Sequence, residues 1–577
     1  MNTQTVLQIT DFPNIHLLAP ALVAIVVLWK FFPGRSKGAF ALDNVPGPLS
    51  PSWIKGNFQQ LYNSKGWAFH EMLAEKYGSL VRLHGSYGRK ALYIFDPKAM
   101  HTVLVKDQDK FEESAGFIHG WTLIFGNGLL GTTGHRHRSQ RKLLNPVFST
   151  AHMRDMVPTF FEVSHKLEIA LRNRLTGADS SPQEIEMLSW LGRTALEIMG
   201  QAGLGYSFDP LTDEGSAHPY SKALKELFPT MMRVQFWRDN VLPYVSRIGT
   251  PGFRRFVVNS IPWKDVHHLR DMVDYMYNVA EEIYESKKRA FRIGDEAVAQ
   301  QIGRGKDLIS ILMKENMKAL DEDHMRDDEV VSQVIPNPSL SFDLNRSPLS
   351  ATLIFGAMDT TSSAMARIIH LLSEHSDVQA KLRQELIEAK GSKGGQDFSY
   401  EELMALPYLD AICRETLRLY PPVSTVARIS HQDAIIPLHK PIIGKDGTEM
   451  HQVNVPNRTT VFVSIFNANR NPDLWGNDAN EWKPERWLVA LPDALLNAHI
   501  PGVYSHLMTF NGGGRSCIGF KFSQLEMKVI ISTLVENFKF FPSNKGSEIV
   551  WEMNGVTAPI VGKDAHPQLP VSISVAN

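Results

Sequence analysis

Phe510-Asn-Gly-Gly-Gly-Arg-Ser-Cys-Ile-Gly519 is the most informative stretch of the chain. Glycines 512, 513 and 514 let the backbone turn tightly and approach a flat ligand closely. An amphipathic helical pattern follows from Phe520 to about Phe538, so Cys517 sits just before a helix. The N-terminal amides of that helix favour a thiolate over a thiol. Arg515, two residues away, supplies a fixed positive charge that favours the anion and can pair with an acidic group on the same ligand. An inert core thiol is the common role of a free cysteine, and it suits Cys413, which lies among Leu409, Ile412 and Leu417. It suits Cys517 badly. A phosphate-binding glycine loop would need a Lys-Ser or Lys-Thr pair after the glycines, and none follows.

Phe510, Gly513, Arg515, Cys517 and Gly519 resemble the haem-binding signature of the cytochrome P450 family, phenylalanine-x-x-glycine-x-arginine-x-cysteine-x-glycine. Three further matches follow the family's order. The family's Glu-x-x-Arg pair and its later arginine are matched by Glu415, Arg418 and Arg486. Spacing i, i+3 puts the first two on one helix face, where a buried carboxylate can be shared by two guanidiniums; the implied role is structural. Phe355-Gly-Ala-Met-Asp-Thr-Thr361 resembles the oxygen-activation motif, with Ala357 where glycine is usual. The resemblance makes Asp359 and Thr360 the acid–alcohol pair that delivers protons. A threonine hydroxyl within a helix can also bond a carbonyl one turn back and widen the helix locally. His137 and Arg141 resemble the helix that usually offers tryptophan-x-x-x-arginine to the haem propionates, with imidazole N–H in place of indole. A metal pair made by His135 and His137 is the rival reading, without a carboxylate or third histidine nearby. Arg428 is a further propionate partner by family position.

The resemblance implies haem b held by the Cys517 thiolate, which pushes electron density towards iron and favours O–O cleavage. It implies a mostly α fold with a small β portion. The reaction would insert one oxygen atom of dioxygen into a hydrophobic small molecule. Electrons would come from NADPH through a separate flavoprotein reductase, since no Rossmann or flavin fingerprint occurs in this chain. By family position, residues 117–134, 224–241, 354–358 and 423–426 line the pocket, and they are largely apolar. The wording of 191–197 and 203–208 resembles fungal members, where terpenoid-like secondary-metabolite oxidation is the expected role, with fatty-acid or xenobiotic hydroxylation as the alternative. A haem-thiolate isomerase or dehydratase, or a non-catalytic haem-binding membrane protein, would have no need of Asp359 and Thr360.

The remainder of the 577 residues fits this reading. Apolar residues make up 43% and charged residues 21%, the balance of a globular chain. With 60 basic and 61 acidic side chains, no nucleic-acid partner is indicated. Two cysteines exclude a disulfide scaffold and a multi-cysteine zinc site. Residues 12–32 form an apolar run preceded by Asp11 and followed by Arg35 and Lys37, which favours a retained transmembrane anchor over a cleaved leader. Residues 1–11 would then be lumenal and the catalytic domain cytosolic, at the endoplasmic reticulum membrane. A basic, proline-rich linker over 33–51 would lead into a catalytic domain over 52–577. Helical periodicity dominates, as over 351–372 and 403–419, while β signals are confined to 80–83, 91–95 and 461–465. Residues 334–350 carry three prolines between helical patterns and read as an insertion or a retained intron.

Overall fold

The computed structural model describes residues 41–175, 181–212, 218–246, 248–303, 305–318, 352–546, 548–562 and 566–576. The apolar run over 12–32 and the proline-bearing segment over 334–350 lie outside the described residues. Among the described residues no helix is long and apolar enough to cross a membrane.

Helices dominate, and the longest apolar one is central. Thr352–Glu374 buries residues on every side, from Leu353 and Ile354 to Ile369 and Leu372. A helix apolar all round has to run through a core rather than along a surface. It packs against Met187–Ile198 on one side and against Phe520–Asn537 on another. The second of these is the helix that follows Cys517, and its bounds agree with the sequence pattern.

A five-stranded sheet forms the second core. Leu80–His84 pairs antiparallel with Lys90–Ile94, which runs parallel to Thr460–Ser464. Thr425–Ser430 and then Phe111–Glu112 complete the order. Leu80–His84, Lys90–Ile94 and Thr460–Ser464 are buried along nearly their whole length, which explains why they read as continuous apolar runs. Residues 46–50 are extended, as their prolines dictate, but they are docked: Arg82 N–H donates to Pro46 O (2.8 Å), and Leu42 and Val45 belong to the sheet's core.

The expected helix over 403–419 is two helices, Tyr400–Met404 and Pro407–Leu419. Pro407 cannot continue the first one and starts the second, a position where its missing N–H is no loss. Glu385 then accepts from the N–H groups of Tyr408 (2.7 Å) and Leu409 (2.9 Å), closing the new helix start with an anion.

Glu526, inside the Phe520–Asn537 helix, is fully buried with no partner for either carboxylate oxygen. Burial therefore pushes its carboxyl well above the ordinary value. An acid raised on folding loses stability as pH climbs past its unfolded value, because only the unfolded chain ionises. Glu526→Met is expected to raise stability at pH 7 by about 1–3 kcal/mol. Chemical unfolding of the two proteins should show that gain shrinking at pH 5; a less stable variant at pH 7 would refute it.

Candidate active site: a thiol facing an enclosed hollow

The loop before the cysteine helix is built by close backbone approaches. Gly513 has φ +68°, and a Cβ there would lie 1.8 Å from Leu104 O. A Cβ on Gly512 would lie 2.2 Å from Pro501 O, and one on Gly514 2.6 Å from the Gln108 carboxamide oxygen. The three glycines thus make the tight turn expected of them, packed against the chain's own backbone and Gln108. Cys517 N–H donates to Phe510 O (2.8 Å), which closes the loop on a buried phenylalanine.

Cys517 is solvent-accessible, yet burial is the largest influence on its thiol and pushes it up. The sulfur therefore faces a hollow enclosed by protein. Gly519 N–H and the charge of Arg141 act in the opposite direction, favouring the anion. The helix-start contribution is as expected. The cation is not: Arg515 donates to the carbonyls of Leu129 (3.0 Å) and Thr132 (2.6 Å) instead. Arg141 holds the loop from the other side by donating to Ser516 O (2.5 Å).

Four cationic or donor side chains named from the sequence converge beside this loop. Arg428 lies 3.4 Å from Glu113 Oε1, and Arg515 Nε lies 3.2 Å from Glu113 Oε2. His137 is buried with the charges of Arg515, Arg141, Arg138 and Arg428 around it. Burial first, and then those guanidiniums, hold its imidazole down to about 3, so it is neutral and can donate one N–H. Glu113 was not foreseen, although the doubled acid Glu112-Glu113 beside an apolar strand was a signal. Its Oε2 has no directed hydrogen bond. Two guanidiniums face the Glu113 carboxylate, and the charges of Arg141 and Glu112 also act on Arg515.

The central helix packs on the helix that follows the cysteine. Gly356 is exposed within an otherwise buried stretch, and a Cβ there would meet nothing within 4 Å. Thr360 Oγ1 donates to Gly356 O at 2.5 Å, the bond to the preceding turn that a threonine here allows. Asp359 is pushed up to about 6 by burial, opposed by Lys225. Thr361 and Ser523 hydroxyls meet at 3.2 Å, locking this helix onto the first turn after the thiol loop. The apolar segments expected to line a pocket also meet: Trp121 lies 5.3 Å from Phe355, and Phe228 stacks on Phe355 at 6.1 Å.

The structural triad is complete. Arg418 donates twice to Glu415, at 2.8 Å each, and Arg486 Nε lies 3.3 Å from the same carboxylate. Trp487 Nε1–H adds a bond of 2.9 Å.

The sequence model of the cytochrome P450 family matches residues 46–562. The chain belongs to that family. A cytochrome P450 monooxygenase of Postia placenta is 48% identical over 532 residues, covering 92% of this chain and 94% of its own length. The ganoderic acid synthetase of Ganoderma lucidum is 43% identical over 556 residues, covering 96% of this chain and 97% of its own. A P450 of Hericium erinaceus is 36% identical over 565 residues, covering 97% and 98%. The chain is a cytochrome P450 monooxygenase.

The family implies haem with thiolate ligation, and the residues fit it. Among the described residues no three His, Cys, Asp or Glu side chains come together to hold a bare metal ion. A metal held at Cys517 would need ligands that the described residues do not supply and that a haem macrocycle would provide. Cys517 and the guanidiniums beside Glu113 are the thiolate and cationic groups that would hold haem and its acidic groups.

Proposed function

We propose that this P450 is a haem-thiolate monooxygenase that inserts one oxygen atom into a hydrophobic, terpenoid-like molecule in fungal secondary metabolism. The observation that carries the reading is the Cys517 thiol, accessible though burial dominates its surroundings, on a loop flanked by Arg141 and the guanidiniums beside Glu113. Haem b, when bound, supplies the dioxygen chemistry, with electrons from NADPH delivered by a separate flavoprotein reductase. Cys517 would hold the iron of the group through its thiolate. His137, Arg141, Arg428 and Arg515 take the propionates, while Phe510 and Gly513 shape the loop. Asp359 holds the proton at its carboxyl, and Thr360 is the alcohol that would pass it on. This pair supports oxygen chemistry over peroxide rearrangement. Glu415, Arg418 and Arg486 hold the fold around the group.

The substrate class is supported by the aromatic wall of Trp121, Phe228 and Phe355 and by the name of the Ganoderma relative. Attachment to the endoplasmic reticulum membrane through residues 12–32, with the catalytic domain in the cytosol, is supported by the charges flanking that run. It is supported also by exposed apolar side chains: Leu49, Trp53 and Ile54 on one segment, Phe253 and Phe256 on another.

The test is the carbon-monoxide difference spectrum of the dithionite-reduced protein without residues 1–40, which keeps Leu42 in the sheet's core. A strongly red-shifted Soret band is expected, and Cys517→Ala should abolish it. A band typical of histidine ligation, or one that survives in the variant, would remove Cys517 from the role.

A further inference from the structure

The second half of the central helix carries a polar row that the oxygen chemistry leaves unused. Ser363, Arg367 and His370 recur at helical spacing, so they lie along one face. All three meet one hairpin, Ile549–Asn554 with Val556–Val561. Ser363 Oγ donates to Thr557 O at 2.5 Å. Arg367 Cζ lies 3.6 Å from the centre of the Trp551 ring and 4.1 Å from that of Tyr420. Its Nε–H has no hydrogen-bond partner among the described residues, so its charge is met by aromatic faces. Trp551 Nε1–H donates to His370 Nδ1 at 3.0 Å. An indole can only donate, so Nδ1 carries no proton and the imidazole hydrogen is on Nε2, 3.6 Å from Glu374 Oε1. The hairpin's ties to the rest of the chain include Trp67 Nε1–H to Trp551 O and Met553 N–H to Ser64 O, both at 2.7 Å, which join groups that do not titrate. At its far end the hairpin turns on Gly555, where a Cβ would lie 1.6 Å from Phe228 Cε1. Phe228 is the ring stacked on Phe355 in the aromatic wall. The hairpin therefore runs from His370 to that wall.

We infer that His370 is a positioning residue: as the acceptor for Trp551 it latches the hairpin to the central helix, and through Gly555 the hairpin sets the place of Phe228 in the aromatic wall. The inference rests on the reading of that wall as the substrate side of the site. A proton on Nδ1 would set one N–H against another, so protonated His370 cannot accept and the latch opens. Around the ring stand Arg367 and Glu374 from the central helix and the uncharged Trp551 from the hairpin, whose neighbour Glu552 pairs with Lys65 at 3.3 Å. Burial, opposed by Glu374 and seconded by Arg367, holds the imidazole below its ordinary value. The folded chain thus binds this proton less readily than the unfolded one. The stability given by the latch is complete above the ordinary histidine range and is lost as pH falls beneath it.

Amide hydrogen exchange of the full, haem-loaded chain reads the latch as the protection of residues 549–561, corrected for the intrinsic rate at each pH. His370→Phe keeps a ring beside Trp551 without an acceptor, and Trp551→Phe keeps a ring over Arg367 without a donor. Each should lower that protection at pH 7 by about tenfold. In the parent protein it should fall several-fold between pH 7 and pH 5. His370→Asn offers an acceptor that does not titrate, so it should keep the protection at pH 7 and lose the pH dependence. The wall is read by spectral titration with imidazole and with 4-phenylimidazole at pH 7. The ratio of the two Kd values should shift several-fold in both phenylalanine variants and stay at the parent value in His370→Asn. Parent-like protection in both phenylalanine variants, or a pH dependence that survives in His370→Asn, overturns the latch. Phe228→Ala separates the inference from the reading beneath it. If that variant leaves the ratio unchanged, the wall is not the substrate side. If it moves the ratio while the two phenylalanine variants do not, the hold of the hairpin on Phe228 is overturned.

Discussion

Replacing Glu415 with alanine is expected to abolish the folded, haem-loading form of this P450. Glu415 and Arg418 are both fully buried, and Arg486 is nearly so. The carboxylate accepts five bonds: two from Arg418, one each from Arg486 and Trp487, and one from Lys483 N–H at 3.0 Å. Removing it strands a guanidinium with no other acid. Arg418 would keep only the carbonyls of Asn469, Ala479 and Glu481, which satisfy its N–H groups but not its charge. Breaking a buried pair by deleting one partner costs about 3–5 kcal/mol. A native state stabilised by about 5–15 kcal/mol has little to spare against such a loss. Arg486→Ala should cost less, because Glu415 keeps Arg418 while Asp478, which lies 2.8 Å from Arg486, returns to solvent. Urea unfolding of the three alanine variants should therefore rank Glu415 and Arg418 well below Arg486. A Glu415→Ala protein within about 1 kcal/mol of the parent would show that the triad is not what holds this region.

The triad was legible in the sequence because its two nearest members are three residues apart on one helix, and helical spacing alone puts them on a common face. The thiol loop was legible for a similar reason: its glycines, arginine and cysteine are contiguous. What could not be read was the partner of each charge. Arg515 is adjacent to Cys517 in sequence, but its guanidinium reaches Leu129, Thr132 and Glu113, nearly four hundred residues away. Arg141, remote in sequence, is the cation at the sulfur. Lys225 and Asp359 likewise line one cavity only because two helices distant in sequence pack together. The strands at 80–84, 90–94 and 460–464 announced themselves because both faces are buried. The hairpin of Ala434–Ile443 with Glu449–Val455 did not, since Pro437 and Pro441 break its pattern and its register shifts after Pro437. The hairpin of Ile549–Asn554 with Val556–Val561 turns on Gly555, a single positive-φ residue against Phe228, which no periodicity reveals.

Asp359→Asn is expected to make the enzyme slower and more stable at once. Burial raises this carboxyl from an ordinary value of 3.8 to about 6. An acid raised on folding binds its proton more tightly in the native state, so the wild-type protein loses stability as pH climbs from below 3.8 to above 6. Above pH 6 the full difference is present, and a shift of that size corresponds to about 2–3 kcal/mol. Asparagine has the same shape and no charge to desolvate, so unfolding at pH 7 should need more denaturant by about that free energy, with the gap closing by pH 4. Turnover should move the other way. Asparagine cannot hold or pass a proton, and losing a positioned acid–base group slows a proton-dependent step by about 10²-fold or more. The carbon-monoxide band should be unchanged, because Asp359 takes no part in holding the thiol loop. Thr360→Ala would differ in kind. It removes the hydroxyl bonded to Gly356 O without removing the acid, so NADPH consumption continues while less of it appears as product. The two variants together separate the group that carries the proton from the group that positions it. A variant with asparagine at 359 that is both fully active and no more stable would refute the role and the environment assigned to this residue.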